Sequence, residues 1–519
     1  MRIRGRLPPF VLASLLAGIA FAAVPSRAVD RFVATGGVNA ANDCSDPARP
    51  CASIRRALRV AVSGDTIEVA VGRYRESLSI DSSTTLPVRG GWDQTFSARD
   101  PAGSRTVLRA GHVRLPGGAF GRNRPWTIQA GGGVAITLTI DGVTMTGGVA
   151  SVAVPRPGDG GLYGGGLAAI TFDGGALTLI VRDAYITRNR AGAGGGLSVR
   201  ATNGGTLQAT LERSVVTQNR AGAGGGIHAA TQDAAVALTV RDCVVTGNRA
   251  GAGGGGGLVV RTKGTLTSDA RVDVVGSTIN GNLAFATPQS ALTSFGGGGI
   301  NLLVQGPLAM TLRNAIVWGN ALEPPEPGAD LSATTIGAPA VGVALDHVDL
   351  GDRQTPDGVL TDLGGNVSVD PQLTVDAHLL PTSPLIDAGV CPESAGADFE
   401  GDVRPSGAGC DIGADEYHRR PNIVLLVTDD QRWDTLSVMP RLMDTLARDG
   451  VVFRNAFVPT PLCSPSRASL LTGQYAHNTG VLTNDLPDGG APVFVGRDAS
   501  TVATWLHDAG TARACMAST

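Results

Sequence analysis

The stretch Ile186-Thr187-Arg188-Asn189-Arg190-Ala191, followed by Gly194-Gly195-Gly196-Leu197, decides the fold because it comes back. It returns as Val216-Thr217-Gln218-Asn219-Arg220-Ala221 with Gly224-Gly225-Gly226-Ile227, and as Val245-Thr246-Gly247-Asn248-Arg249-Ala250 with a glycine run ending at Leu258. Looser copies end at Asn282, ahead of Gly296-Gly297-Gly298-Gly299-Ile300, and at Asn320, so successive asparagines lie 30, 29, 34 and 38 residues apart. Between them run short alternating segments such as Leu177-Thr178-Leu179-Ile180-Val181 and Ala235-Val236-Ala237-Leu238-Thr239-Val240, rich in β-branched residues that suit a pleated surface. Short strands turned by glycine, with an asparagine at fixed phase, describe a solenoid whose coils stack on one another. The spacing predicts a mainly β fold, a right-handed parallel β-helix. A β-sandwich would carry turn signals about every 8–12 residues and need not repeat one phrase in register. Glycine is expected to supply a positive φ at each corner, and the asparagines to stack and to bond neighbouring backbone.

Composition narrows the function classes. Charged residues are 17% of the 519 and the formal net charge is -3. No basic field exists to hold phosphates or an anionic membrane, so no nucleic-acid partner is expected. The 73 glycines and 30 prolines make up about a fifth of the chain and follow no three-residue period, which excludes collagen and wholesale disorder. Lys263 is the only lysine, so chemistry that needs one has a single candidate.

At the N-terminus, Arg2, Arg4 and Arg6 precede an apolar stretch from Leu7 to Val24 and then Ser26-Arg27-Ala28, a small-x-small cleavage pattern. Residues 1–28 read as a signal peptide, and the remainder as secreted, periplasmic or displayed at the cell surface. Pro8, Pro9 and Gly18 interrupt a stretch that barely reaches the roughly 18–20 residues of a spanning helix, so no stable membrane span is expected. The 7 cysteines are an odd number, leaving at least one unpaired. Cys44 with Cys51, and Cys391 with Cys410, are candidates for local disulfides. Cys243 lies in a strand-like segment and reads as a small buried hydrophobe, which leaves Cys463 and Cys515.

The repeat region also resembles exported bacterial β-helix proteins related to polymorphic outer-membrane repeats. The phrases that carry this are Cys51-Ala52-Ser53-Ile54, Gly64-Asp65-Thr66-Ile67-Glu68-Val69 and Gly72-Arg73-Tyr74-Arg75-Glu76 as an opening. Ser383-Pro384-Leu385-Ile386-Asp387-Ala388-Gly389 and Asp411-Ile412-Gly413-Ala414-Asp415-Glu416-Tyr417 match as a closing cap. The resemblance implies a fold and a surface habit over residues 29–417, and no reaction. Asp141, Asp183 and Asp242 recur at loosely equivalent strand ends, which argues for structure and against a unique active site.

After Tyr417 the composition changes. The run Ile423-Val424-Leu425-Leu426-Val427-Thr428 has the pattern of a parallel strand buried on both faces, and it ends in Asp429-Asp430. Two adjacent carboxylates at the carboxyl end of such a strand invite a cation, and oxygen ligands favour Ca²⁺ or Mg²⁺. A helix N-cap with a solvated neighbour is the plainer reading of the pair. Further on stands Pro461-Leu462-Cys463-Ser464-Pro465-Ser466-Arg467-Ala468-Ser469-Leu470-Leu471-Thr472-Gly473. Ser464 is expected to cap a helix that begins at Pro465 and ends at Gly473, placing Cys463 just before an anion-favouring N-terminus with Arg467 one turn on.

These residues resemble the sulfatase family, whose modification motif is Cys-x-Pro-x-Arg. The likeness extends to Arg454-Asn455-Ala456-Phe457, Gln474-Tyr475-Ala476-His477-Asn478 and Thr501-Val502-Ala503-Thr504-Trp505-Leu506, with a glucosamine-6-sulfatase or arylsulfatase flavour. It implies an α/β, alkaline-phosphatase-like segment over residues 418–519. It also implies that Cys463 is the precursor of formylglycine, whose hydrated aldehyde attacks sulfur, and that Arg467 steadies the modified residue. Asp429 and Asp430, with the modified Cys463, would hold the divalent cation, usually Ca²⁺. The implied substrates are sulfated carbohydrates or aryl sulfate esters, and the implied partner is a formylglycine-generating enzyme.

The family continues with further metal ligands and catalytic lysine and histidine residues, whereas here Thr511-Ala512-Arg513-Ala514-Cys515-Met516-Ala517-Ser518-Thr519 replaces an expected phrase ending in Gly-Lys. Read out of frame, the codons of Met516-Ala517 force a glycine, and permitted codons for Ala517, Ser518 and Thr519 then spell lysine and tyrosine. Residues 511–519 are therefore expected to be a frameshifted tail of a truncated, inactive sulfatase segment. The competing expectation is a non-enzymatic β-helix surface or glycan-binding protein with a vestigial tail.

Overall fold

The computed structural model describes residues 28–101, 105–114, 120–122, 124–150, 162–264, 269–285, 296–325, 328–337, 340–391, 396–418, 424–453, 455–495 and 500–508. The expected signal peptide and the tail 511–519 lie outside these residues. The chain forms two compact units, Met1–His418 and Arg419–Thr519.

The first unit is a parallel β-helix. Among the described residues, its strands form one sheet of 18, a second of 9 and a third of 5. The central coils pair in parallel and in register: Leu177 faces Leu207, which faces Val236, which faces Ala270. Leu179, Ala209, Leu238 and Val272 form the next column inward along the same strands. All eight are buried, because alternate residues of each strand point into the solenoid and stack on their equivalents. Each such large aliphatic side chain contributes about 1.5–3 kcal/mol by leaving water.

The recurring asparagines are buried inside the coils and form a continuous ladder. The Nδ2 of Asn189 donates to Oδ1 of Asn219 at 3.1 Å, Asn219 to Asn248 at 3.0 Å, Asn248 to Asn282 at 3.0 Å and Asn282 to Asn320 at 2.9 Å. Each Oδ1 also accepts the backbone N–H of the preceding asparagine, as from Asn189 to Asn219 at 3.0 Å. The ladder ends on a carboxylate: Asn320 donates its backbone and side-chain N–H groups to Asp330 at 2.9 and 2.8 Å.

The glycine triplets divide the work differently from the expectation. Gly194 has φ +65°, the corner conformation anticipated. Gly195 does not, and is glycine because a Cβ there would strike the Gly225 carbonyl and the Arg220 backbone of the next coil. The triplet thus makes one turn and two close approaches between coils. Asp183 and Asp242 sit at positive φ of +50° at strand ends, and Asp183 pairs with Arg213 of the next coil at 2.9 Å. Asp141 holds Arg182 at 2.7 Å and also Arg99. These acids are structural.

Both ends of the solenoid are closed by polar networks. A helix at Ile54–Val60 is capped by Ser53, and the Glu76 carboxylate accepts the N–H groups of Ile54 and Arg55 at 2.9 Å each. At the other end, Asp411 accepts from the backbone of Asp387 at 2.7 Å and of Tyr417 at 2.6 Å, while Arg404 donates to Glu416 at 3.2 Å. Disulfides join Cys44 to Cys51 and Cys391 to Cys410, and Cys243 is fully buried with a free thiol. No described helix is long and apolar enough to cross a membrane.

The second unit forms no strand at its first element, although the apolar pattern reads as one; a lone sheet strand that the segment cannot cover on both faces is expected to pack poorly. Residues 424–428 form no strand, and Val424, Leu425, Leu426 and Val427 are 58–79% exposed. A strand meant to be covered on both faces needs neighbouring strands and helices to bury it, and none packs there among the described residues. What does form is a small helical cluster: Cys463–Thr472, Ala476–Thr479, Ala491–Phe494 and Val502–Asp508, beside the helical stretch from Trp433 to Ala447.

Candidate active site

The helix Cys463–Thr472 positions the site. Its inward residues Pro465, Ala468, Ser469 and Thr472 are buried, and Gly473 ends it in the left-handed conformation at φ +68°. The expected cap is corrected in one respect. Helix geometry begins at Cys463, two residues early, with Leu462 as an extended N-cap that offers no side-chain acceptor. The acceptor comes from Asn484, whose Oδ1 takes the backbone N–H of Ser464 at 2.9 Å. With a carbonyl supplied from elsewhere, Ser464 is free to be a helical residue.

Asn484 does a second job. Its Nδ2 donates to the Cys463 Sγ at 3.3 Å, so one side-chain amide holds both the thiol and the N–H that follows it. The thiol is exposed. Sequence reasoning did not single out Asn484: it lies 20 residues beyond the motif in a turn-rich stretch, and no local pattern marks which turn residue will reach back.

Arg467, one turn into the helix, extends its guanidinium to the Asp429 carboxylate at 3.1 Å. Two of the candidate residues are thereby brought together from segments 38 positions apart in the chain. Asp430 follows at φ +50°, exposed, with no hydrogen bond or ion pair among the described residues.

The donor chemistry of Asp429 and Asp430 fits a hard divalent cation, since both offer oxygen only. The arrangement is partial. The ligand atoms of Asp429, Asp430 and Cys463 are not gathered within 4.8 Å of one another; the group that meets this distance among the described residues is His378, Glu400 and Asp415 in the β-helix. There His378 Nε2 already lies 3.0 Å from Glu400, and Asp415 accepts the Leu379 N–H at 2.8 Å.

Comparison with known proteins places this site in context. Residues 421–518 match the family model described as Sulfatase. The "Extracellular sulfatase SULF-1 homolog" of Drosophila melanogaster is 43% identical over 94 residues, covering 18% of this chain and 8% of that protein. The "N-acetylglucosamine-6-sulfatase" of Homo sapiens is 52% identical over 71 residues, covering 13% of each chain. The "Arylsulfatase" of Volvox carteri is 38% identical over 99 residues, covering 18% of this chain and 15% of that protein. Among solved structures, pectate lyase Pel9A is 13% identical with a TM-score of 0.41, covering 76% of this chain and 97% of that one. The matched stretch spans only 8–15% of the length of these curated relatives. Over residues 421–518 the chain is similar to sulfatases.

Proposed function

We propose that residues 418–519 are sulfatase-type sequence for sulfuric ester hydrolysis, joined to an exported β-helix over residues 29–417 behind a signal peptide at 1–28. The observation that carries the reading is the placement of an exposed Cys463 on the first turn of a helix whose Arg467 reaches Asp429 at 3.1 Å.

In this reading Cys463 is the residue converted to formylglycine by a generating enzyme, which replaces the thiol with an aldehyde whose hydrate is the nucleophile. Asp429 and Asp430 would hold Ca²⁺ or another divalent cation, which supplies positive charge to polarise sulfate oxygens. The chain's own residues prepare the position. Arg467 adds a positive charge one turn into the helix, and Asn484, which takes the Ser464 N–H and donates to the Cys463 thiol, fixes the orientation of residue 463. Two carboxylates supply part of the about six to eight oxygens that Ca²⁺ takes. Sulfated carbohydrates and aryl sulfate esters are the proposed substrate classes. The two disulfides accord with the proposed location outside the cytoplasm.

The test is co-expression with a formylglycine-generating enzyme, followed by mass analysis of the peptide around residue 463 and an aryl sulfate assay. Conversion of the thiol to an aldehyde, absent from Cys463→Ala, is the expected result. A thiol that stays intact beside an active generating enzyme overturns the reading.

A second reading, a non-enzymatic β-helix that binds glycans, is favoured by one observation: the exposed apolar run Val424 to Val427 leaves the sulfatase-like unit without a sheet core.

A further inference from the structure

One face of the 9-stranded sheet carries a cleft of about 570 Å³ whose charged lining residues are all basic: Arg200, Arg261 and Lys263, with no carboxylate. Arg200 faces Ala230, and Ala230 faces Arg261 on the next coil. The two arginines therefore flank a small floor residue, two strand spacings or about 10 Å apart along the solenoid.

The two guanidiniums are held but have no carboxylate partner among the described residues. Arg200 lies over the Tyr163 ring at 4.7 Å, and that ring is itself stacked on His228 at 5.5 Å. Arg261 donates one N–H to the Gly253 carbonyl at 3.2 Å, while its Nε is buried with no hydrogen-bond partner. No carboxylate among the described residues lies within ion-pair distance of Arg200 or Arg261. His228 does not add charge: it is buried against Ser198 at 3.0 Å, and burial together with the two guanidiniums pushes its imidazole down to about 3. A half-buried guanidinium with no counter-anion is costly unless something outside the chain meets its remaining accessible N–H groups.

We propose that this cleft binds an acidic polysaccharide, with Arg200 and Arg261 receiving carboxylate or sulfate oxygens on sugars spaced along the solenoid axis. Planar guanidinium forks suit both anions. Gln232 and Gln305, also lining the cleft, supply neutral donors and acceptors of the kind that hydroxyls need. Single-stranded nucleic acid fits less well, because it asks for an open aromatic platform and the Tyr163 ring is already covered by His228 and Arg200. The inference gives a site to the second reading above and stands apart from the sulfatase chemistry.

The experiment uses the full-length Cys463→Ala chain, so that hydrolysis plays no part, and titrates it by calorimetry with polygalacturonate, dextran sulfate, neutral dextran and single-stranded DNA. Binding to one or both polyanions and none to dextran is expected, and the preferred polyanion tells carboxylate from sulfate. Arg200→Ala, on a partly exposed side chain, and Arg261→Gln, which keeps a shorter, neutral polar side chain in place, should each weaken binding about tenfold or more. Polyanion binding that survives both substitutions overturns this site while leaving a glycan-binding β-helix in place. No binding to either polyanion, or equal binding to dextran or single-stranded DNA, overturns the proposal itself.

Discussion

The Arg467 guanidinium lies 3.1 Å from the Asp429 carboxylate, linking the helix of the Cys463 motif to the acidic pair at Asp429-Asp430. Both side chains are more than half exposed, so the pair is a weak stabiliser, worth about 0–1 kcal/mol. Its value must lie in position. Arg467→Ala is expected to leave the unfolding midpoint almost unchanged while lowering the fraction of Cys463 converted by a generating enzyme. Calorimetry and peptide mass analysis on the same sample check both halves. A large loss of stability with normal conversion would make the arginine structural only.

Asn484 should act on the same position from the other side. Asn484→Ala removes the acceptor for the Ser464 N–H and the donor to the Cys463 thiol, and should cost about 0.5–2 kcal/mol, like the loss of an N-cap. Asn484→Asp keeps the acceptor but loses the donor and brings a negative charge to the sulfur. That variant should keep the helix and slow thiol alkylation, since the thiolate is the reactive form. Iodoacetamide labelling of Cys463 reads the difference, and equal rates in Asn484→Asp and the parent would remove the proposed contact.

In the β-helix the ladder makes a sharper forecast. Asn219 is fully buried and bonded to Asn189, to Asn248 and to the Ile186 carbonyl at 2.8 Å. Asn219→Ala strands several buried polar partners at once, and at about 1–3 kcal/mol for each group left unsatisfied it should destabilise by several kcal/mol. A urea titration that shifts by less than about 1 kcal/mol would show that the ladder tolerates gaps.

These contrasts also mark where the sequence was informative. The solenoid was legible because its period is written locally: the same asparagine and glycine phrase returns at each coil, and the coil geometry forces equivalent residues to meet. Asp330 was not legible as the ladder's last rung, since it follows Asn320 by 10 residues and belongs to no repeated phrase. Nor did composition show that Gly194 turns the chain while Gly195 admits its neighbour. In the second unit the apolar run 423–428 predicted a buried strand, but burial is a property of what packs against a segment, and residues 424–428 have no sheet around them. The cysteine and its arginine were readable as a helix start because spacing within one turn is local. The reach of Asn484 across 20 residues was not.

The last forecast concerns pH. Asp349 is fully buried; its Oδ1 accepts the Val369 N–H at 3.0 Å, and its Oδ2 has no partner. Burial, with the nearby Asp330 and Asp370 charges, pushes its carboxyl from 3.8 up to about 7. Below pH about 4 the carboxyl is protonated in both states, and the native fold bears no penalty for it. Between pH about 4 and 7 the unfolded chain releases this proton while the folded chain keeps it, so each step toward neutral pH lowers stability until the folded carboxyl ionises too. Asp349→Asn removes the titrating group and keeps its shape. It should therefore flatten the decline of the unfolding midpoint across this range by one proton's worth, leaving the slope due to the other raised carboxyls, among them Asp411 and Asp242, both raised to about 6. At pH 8 the variant should melt higher than the parent, and at pH 4 the two should nearly coincide. Parallel curves for the two proteins from pH 4 to 8 would mean that Asp349 is charged and satisfied in the fold.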